Sequence, residues 1–413
     1  MSNTVILGVG IIGVSAAYYL SDHQPPFSIH LVEPALELFS SASGYAGGFL
    51  AKDWFTSAAA DLGALSYELH RKLAADHAGR ETWGYTATTS VNYATASPRA
   101  RGARGDDWLR TGTSRAEMAP GSSPGSVPPW LSRTEGDCVE GISPEGMTAQ
   151  VDPLRLCRFL LNECLRRGVR LHHPAEVLST SVDFRGELAS VRIADTKTGT
   201  KTDLPCTRIV IAAGAWSGQA FKELFPHVKG RLPIGSLAGH SIIVRSPRWR
   251  GGNEEGCHAV YTTYDAEGFS PEVYARLGGE IYIAGLNSTD IPLPPLPGQV
   301  TLLPEAIAKL RTTARKLLGP SGSNADSDDG VEVVREGLCF RPVTPRGMPI
   351  ISRIPDEDLG MATRSGAEGG VFLCSGHGPW GISLSLGTGL VVSEMAQGRD
   401  LSADISGLGL QMK

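Results

Sequence analysis

The chain has 413 residues, of which 41% are apolar and 20% charged, so it has the composition of a folded globular protein with room for one or two domains. A net charge of −5 with no basic, aromatic-laced stripe gives no reason to expect nucleic acid, and no apolar run approaches the length of a bilayer span. Residues 1–20 lack a basic leader segment and are not read as a signal peptide, so a cytoplasmic location is expected.

The first fifty residues carry the strongest local pattern. Val5-Ile6-Leu7 is the short apolar run of a strand buried on both faces. Gly8-Val9-Gly10-Ile11-Ile12-Gly13 follows, then a helix over Val14 to Leu20 and a second strand over Ile29 to Val32 that ends in Glu33-Pro34. In such a unit the first glycine makes the tight turn, the second lets backbone approach a pyrophosphate, and the third lets the helix pack on the strand. The helix N-terminus favours the anion, and an acid about twenty residues on accepts from a ribose hydroxyl. Glu33 stands twenty residues beyond Gly13, and its charge argues against a 2′-phosphate. The motif predicts a dinucleotide site and does not by itself separate FAD from NAD.

A second glycine cluster, Ser41-Ala42-Ser43-Gly44-Tyr45-Ala46-Gly47-Gly48, reads as a cofactor loop, because small residues let backbone N–H groups face an anion. Asp61 to His77 is an amphipathic helix carrying Leu62, Leu65, Leu69 and Leu73 on one side, and Tyr85 to Ala94 is a strand. Residues 97–130 are rich in Pro, Gly, Ser and Arg and predict a long surface loop. In Val151-Asp152-Pro153 the aspartate is an N-cap and the proline occupies the first helical position. Gly168 closes that helix.

Short strands follow at Val169 to His172 and from Ala175. Ile209 to Ile211 runs into Ala212-Ala213-Gly214-Ala215-Trp216-Ser217, the small-residue end of a parallel strand where it meets a ligand. Ser241 to Arg245, Ala259 to Tyr264, Glu272 to Arg276 and Glu280 to Ala284 predict an antiparallel sheet. A helix lies within Val300 to Leu318, a polar linker at 319–330, and the chain returns as a strand over Val331 to Arg341. Phe372 to Gly378 is a last strand and glycine turn, followed by a small-residue helix over Ile382 to Met395. The seven cysteines are scattered with no CxxC pair, which predicts reduced thiols and no metal site.

Taken together these segments resemble the FAD-dependent oxidoreductases of the D-amino-acid oxidase superfamily, which include glycine oxidase and monomeric sarcosine oxidase. The resemblance rests on the glycine turn with Glu33, Ala42-Ser43-Gly44, Val151-Asp152-Pro153 and Ala212 to Trp216. It continues in Arg341-Pro342-Val343-Thr344-Pro345 with Gly347-Met348-Pro349-Ile350-Ile351, and in Gly376-His377-Gly378 with Trp380-Gly381-Ile382. It covers most of the chain and is strongest toward fungal members known only as FAD-dependent oxidoreductases. It implies FAD rather than NAD. It also implies ribose binding by Glu33, adenine contact at the Val177 backbone, residues 43–48 along the pyrophosphate and flavin, and the Gly376–Gly381 turn at the flavin N1–C2=O edge. There His377 is either a donor to the flavin or a packed histidine.

In glycine-oxidase-like members the arginine matching Arg341 pairs with the substrate carboxylate; the alternative is a structural ion pair. Cys339 precedes Thr344 by five residues, the spacing of covalent 8α-flavin attachment in sarcosine oxidase. Phe340-Arg341-Pro342 matches the non-covalent branch, so non-covalent FAD is favoured. No lysine lies between Pro271 and Leu293 to activate oxygen, and Lys52 is either a substitute or a surface lysine. The expected fold is α/β: a Rossmann-like FAD domain (about 1–60, 142–235 and 340–413) interleaved with an antiparallel-sheet substrate domain (about 61–141 and 236–339). The expected reaction is oxidation of an amino acid or related amine to an imine, with dioxygen as acceptor. The alternatives are a flavin dehydrogenase or a non-catalytic FAD-stabilised protein. The identity of the amine and the oligomeric state are not legible.

Overall fold

A computed structural model describes residues 3–94, 123–124, 126–251, 256–263, 269–319 and 330–412. The expected loop at 97–130 and linker at 319–330 therefore lie mostly outside the described residues. Of the loop, 126–130 ends in Trp130, which is buried in the core of the second sheet.

The N-terminal pattern builds a six-stranded sheet. In spatial order its strands are Ile350–Ile354, Gly370–Ser375, Arg208–Ile211, Thr4–Leu7, Ile29–Val32 and Arg170–His172. Five run parallel, with Val5 opposite both His30 and Ile209, and Ile209 opposite Val371. Ile350–Ile354 closes one edge antiparallel. Alternate side chains enter different cores, as the pleat requires. Ile6, Leu31, Val210 and Phe372 pack under the helices Ile11–Leu20, Pro153–Arg167 and Ser385–Gln397. Val5, Leu7, Ile209, Ile211 and Val371 pack under a three-stranded antiparallel sheet (Ala175–Val182, Leu188–Asp195 and Lys201–Pro205) and the helix Ser217–Leu224. These three layers around a parallel sheet are the α/β arrangement expected.

Asp152 caps its helix by accepting from the Arg155 N–H at 3.1 Å, and Gly168 ends it at φ 104°. The helix read from Asp61 begins at Ser57. It packs against the C-terminal helix in the same core as the parallel sheet.

The second sheet contains Glu332–Val343, Gly235–Arg245, Glu280–Ser288, Glu272–Ala275, Cys257–Thr263, Thr86–Ala94, Cys138–Gly141 and Ser123–Pro124, in that order. It is antiparallel where expected, with one departure. Cys257–Thr263 runs parallel to Thr86–Ala94, a pairing between segments far apart in the chain that local pattern cannot announce. Glu332–Val343 runs unbroken across residue 340. The outer face of this sheet packs Ile242, Val244, Val273 and Ile281 on the helix Pro304–Leu318. Its inner face, with Tyr261, Tyr274 and Tyr282, meets Phe49 and Trp54 from the chain after the second glycine cluster. Among the described residues no helix is long and apolar enough to cross a membrane.

Candidate active site

A single elongated cleft follows the C-terminal ends of the parallel strands and then turns beneath the inner face of the second sheet. Its lining begins at Gly8, Gly10, Ile11 and Ile12 and at Val32, Glu33 and Pro34. Gly8 adopts φ 95°, and a Cβ there would stand 2.6 Å from the Ala212 carbonyl oxygen. Gly13 does not line the cleft. Its hydrogen sits against the Gly8 carbonyl, where a Cβ would come within 2.0 Å, so its part is packing helix on turn. The Glu33 carboxylate is buried and accepts from the N–H groups of Val9 (2.9 Å) and Ala35 (3.0 Å). Burial pushes this carboxyl above its usual range, while those donors and His173 oppose the shift. Each carboxylate oxygen keeps a lone pair for a ribose hydroxyl. Val177, expected at the adenine, lines the same end.

The second glycine cluster folds as the short helix Ala42–Tyr45 and a turn leading into the strand Phe49–Ala51. Ser43 Oγ accepts from the Ile11 N–H at 2.9 Å and ties this segment to the first turn. Ser41, Ala42, Ser43, Ala46, Gly47 and Gly48 line the cleft, and Ser41 Oγ is buried with no hydrogen-bond partner. Gly44 does not line it; a Cβ there would come within 2.1 Å of the Phe39 carbonyl oxygen. From behind, Arg335 donates to the Gly44 carbonyl (3.0 Å), Gln150 to that of Gly47 (2.7 Å), and Arg276 to those of Ala46 and Gly47 (2.7 and 2.9 Å).

Opposite lie Ala213, Gly214 and Trp216 together with His377, Gly378, Gly381 and Ile382. Gly214 (φ 55°) and Gly378 (φ 54°) are both left-handed, and neither has an atom within 4 Å of where a Cβ would stand. Gly376 and Trp380 lie outside the cleft. The first packs on Thr344 and the second on Trp54 and Phe55. The helix expected from Ile382 begins only at Ser385, because Gly378–Trp380 forms a separate 3-10 turn.

His377 is buried, with Nε2 3.1 Å from Thr388 Oγ1 and Nδ1 unpartnered. Burial pulls its imidazole down to about 3, and that of the buried His70 down to about 4. Both rings are neutral in the fold, whereas the unfolded chain takes up their protons near the ordinary histidine value of 6.5. Their stabilisation is therefore complete above pH 6.5 and is lost as pH falls from there toward 4. Each ring contributes a slope of about 1.4 kcal/mol per pH unit. In denaturant titrations at stepped pH, His377→Gln should flatten that acid limb by its share. An unchanged limb would reject the assignment.

The wall facing these turns comes from the second sheet. Cys339 and Arg341 point the same way from Glu332–Val343, beside Tyr274, Tyr282 and Glu272. Arg341 Nη1 donates to Asn287 Oδ1 at 2.6 Å. The guanidinium reaches Asn287 by crossing the intervening strand at Gly239, where a Cβ would lie 2.0 Å from Nη1. The Cys339 thiol is buried, and burial pushes it above its usual value against the opposing charges of Arg341 and Arg335. Lys52 corrects one expectation. It lies outside the cleft, in the bend that follows the strand Phe49–Ala51, and pairs with Glu68 at 2.8 Å on a half-exposed surface, the second of its two readings.

Sequence reasoning missed Gly239, Asn287, Arg276, Gln150 and the tyrosines. A signal was present in Glu272-Val273-Tyr274-Ala275-Arg276, whose polar residues alternate with core ones along a strand.

A dinucleotide suits this cleft. Its nucleotide end offers Glu33, its middle an unpartnered serine hydroxyl, and its far end two bare left-handed glycines and an unpartnered imidazole nitrogen.

Comparison with known proteins agrees. The chain is 28% identical over 410 residues to the C1F5.03c protein of Schizosaccharomyces pombe, covering 95% of this chain and 93% of that one. It is 30% identical over 200 residues to D-amino acid dehydrogenase 2 of Pseudomonas aeruginosa, covering 48% of this chain and 39% of that one. Its fold is similar to that of glycine oxidase from Geobacillus kaustophilus, with a TM-score of 0.70, 20% identity and coverage of 99% and 98% of the two chains. The family profile described as DAO, FAD dependent oxidoreductase, matches residues 3–395, and the chain belongs to that FAD-dependent family.

Proposed function

We propose that this oxidoreductase oxidises the C–N bond of an amino acid or related amine to an imine, with dioxygen as electron acceptor. FAD, when bound, supplies a two-electron acceptor for the hydride of the carbon bearing the amine, and the imine is released to hydrolyse or cyclise. In this reading FAD lies in the lobe built from about 1–60, 142–235 and 340–413. The amine enters from the lobe built from about 61–141 and 236–339. Glu33 holds the ribose, the 41–48 turn faces the pyrophosphate and flavin, and the 376–381 turn meets the far edge of the ring.

The observation that carries the reading is the placement of Arg341. Its guanidinium is fixed across the sheet by Asn287 on the cleft wall that also bears Cys339. A planar fork held in place suits a carboxylate, which it grips through two parallel N–H donors. Tyr274 and Tyr282, stacked at 5.9 Å, supply an apolar wall that excludes water beside it. His377, neutral, offers a neutral hydrogen bond rather than a charge.

The experiment is anaerobic mixing of the FAD-loaded protein with D-, L- and N-methyl amino acids and cyclic amines, read as bleaching of the flavin band. Bleaching by a carboxylate-bearing amine and not by its ester supports the reading. A full FAD load with no bleaching across the panel would favour a non-catalytic role. Similarity to a D-amino acid dehydrogenase, and the commitment of Lys52 to Glu68, keep a second acceptor class in play. Strong dye reduction with little hydrogen peroxide would select it. Acid precipitation of the same sample decides the cofactor linkage at Cys339. The buried thiol leads us to expect a yellow supernatant and a colourless pellet.

A further inference from the structure

Arg276 is a charged side chain where the fold has little use for one. It follows the strand Glu272–Ala275, is only 3% exposed, and forms no ion pair among the described residues. Its Nη2 donates to the carbonyls of Ala46 and Gly47, and its Nε is buried with no partner. The carboxylates of Asp152 and Glu280 act on it only through space, its guanidinium lies 5.4 Å from the centre of the Tyr282 ring, and a second guanidinium, Arg335, lies nearby on the Gly44 carbonyl. Two cations thus grip one cofactor-side turn from the substrate sheet. A buried cation left without a paired anion is costly unless something negative comes close.

The geometry of the turn says what that contact sets. In a trans peptide the C=O and N–H point in opposite directions. Drawing the carbonyls of Ala46 and Gly47 onto Arg276 turns the N–H groups of Gly47 and Gly48 the other way. Both residues line the cleft, and Arg276 stands behind them. The turn is closely packed in this pose. A Cβ on Gly47 would meet the Tyr274 ring at 2.5 Å, Gly48 holds φ 90° against the Val151 carbonyl, and Gln150 fixes the Gly47 oxygen a second time.

We propose that Arg276 is a positioning residue for the cofactor: through two backbone carbonyls it aims the Gly47 and Gly48 N–H groups at FAD, and it lends the site a buried positive charge that favours the reduced, more negative form. This rests on FAD occupying the cleft described above.

The test compares wild type, Arg276→Lys and Arg276→Met, the last of similar length and uncharged. FAD affinity is measured on the apoprotein by fluorescence quenching, and the flavin midpoint potential on the reloaded protein. Expected for Arg276→Met is at least a tenfold loss of FAD affinity and a further tenfold loss specific to the reduced form, which is a fall of about 30 mV for a two-electron couple. Arg276→Lys should keep the potential near wild type while losing part of the affinity, since one ammonium holds two carbonyls less well than a guanidinium. A purely structural clamp predicts weaker FAD binding in both variants with the potential unmoved, and that result would overturn the proposal. If Arg276→Met does not fold, a wild-type potential in Arg276→Gln, which keeps a donor without the charge, would overturn the electrostatic half. Wild-type protein that takes up no FAD would instead defeat the placement of the cofactor.

Discussion

Replacing Arg341 by methionine is expected to raise KM for an amino-acid substrate by about 100-fold, with FAD content unchanged. Losing one partner of a desolvated, charge-assisted pair costs on the order of 2–5 kcal/mol, and each 1.4 kcal/mol is a factor of ten. FAD content should hold because Arg341 belongs to the sheet wall and not to any of the glycine turns. A companion variant separates position from charge. Gly239→Ala keeps the guanidinium but puts a methyl group where Nη1 lies, 2.0 Å away, so the fork must leave Asn287. The rise in KM should have the same direction and a smaller size, roughly tenfold, as expected when a charged partner is displaced and not deleted. Steady-state kinetics on the substrate found by the anaerobic panel checks both. An Arg341→Met protein with full FAD and an unchanged KM would remove the carboxylate-binding role.

Gly8→Ala should abolish FAD binding and lower stability together. The backbone conformation at φ 95° alone costs an L-residue about 1–3 kcal/mol. The new methyl would also meet backbone at Ala212 and Ala213, which cannot swing aside like a long side chain. Gly214→Ala is the control, because it shares a positive φ but meets nothing within 4 Å. It should fold and bind FAD less tightly, its methyl standing in the cleft. Absorbance at the flavin band and thermal unfolding of both proteins report the outcome. Gly8→Ala protein that stays yellow and melts with wild type would show that the first turn does not need its glycine, against the reading of the whole N-terminal unit.

Much of the nucleotide half was legible in the chain because its signals are local. Val5 to Leu7 had to be a two-sided buried strand, and the turn after it required Gly8 on conformational grounds alone. Asp152, Pro153 and Gly168 mark their helix by the chemistry of caps, which involves residues three or four apart. Glu33 was legible by spacing, and the structure adds that it is already holding two backbone N–H groups. Motif membership proved a coarser guide than contact. Gly13 packs helix on turn as its place in the motif implies, but Gly44 and Gly376, expected at the cofactor, also serve packing, since what a glycine touches depends on which strand comes to lie beside it.

Apart from Arg341, which the resemblance named, the wall formed by the second sheet was hidden because its parts are distant in sequence. Gly239, Asn287 and Arg341 stand on three neighbouring strands, about fifty residues apart in sequence, and become one device only when Glu332–Val343 and Glu280–Ser288 pair on either side of Gly235–Arg245. Lys52 and Arg276 show the two directions of error. One basic residue near a cofactor loop turns out to face a surface glutamate, and another, far along the chain, turns out to hold that loop. Periodicity, caps and glycine spacing specify strands, helices and a nucleotide turn because those depend on near neighbours. Sheet order and register bring distant residues within hydrogen-bond reach, and so only the fold showed that Arg341, named by resemblance, is held by Asn287 on the cleft wall and that Arg276 stands behind the turn.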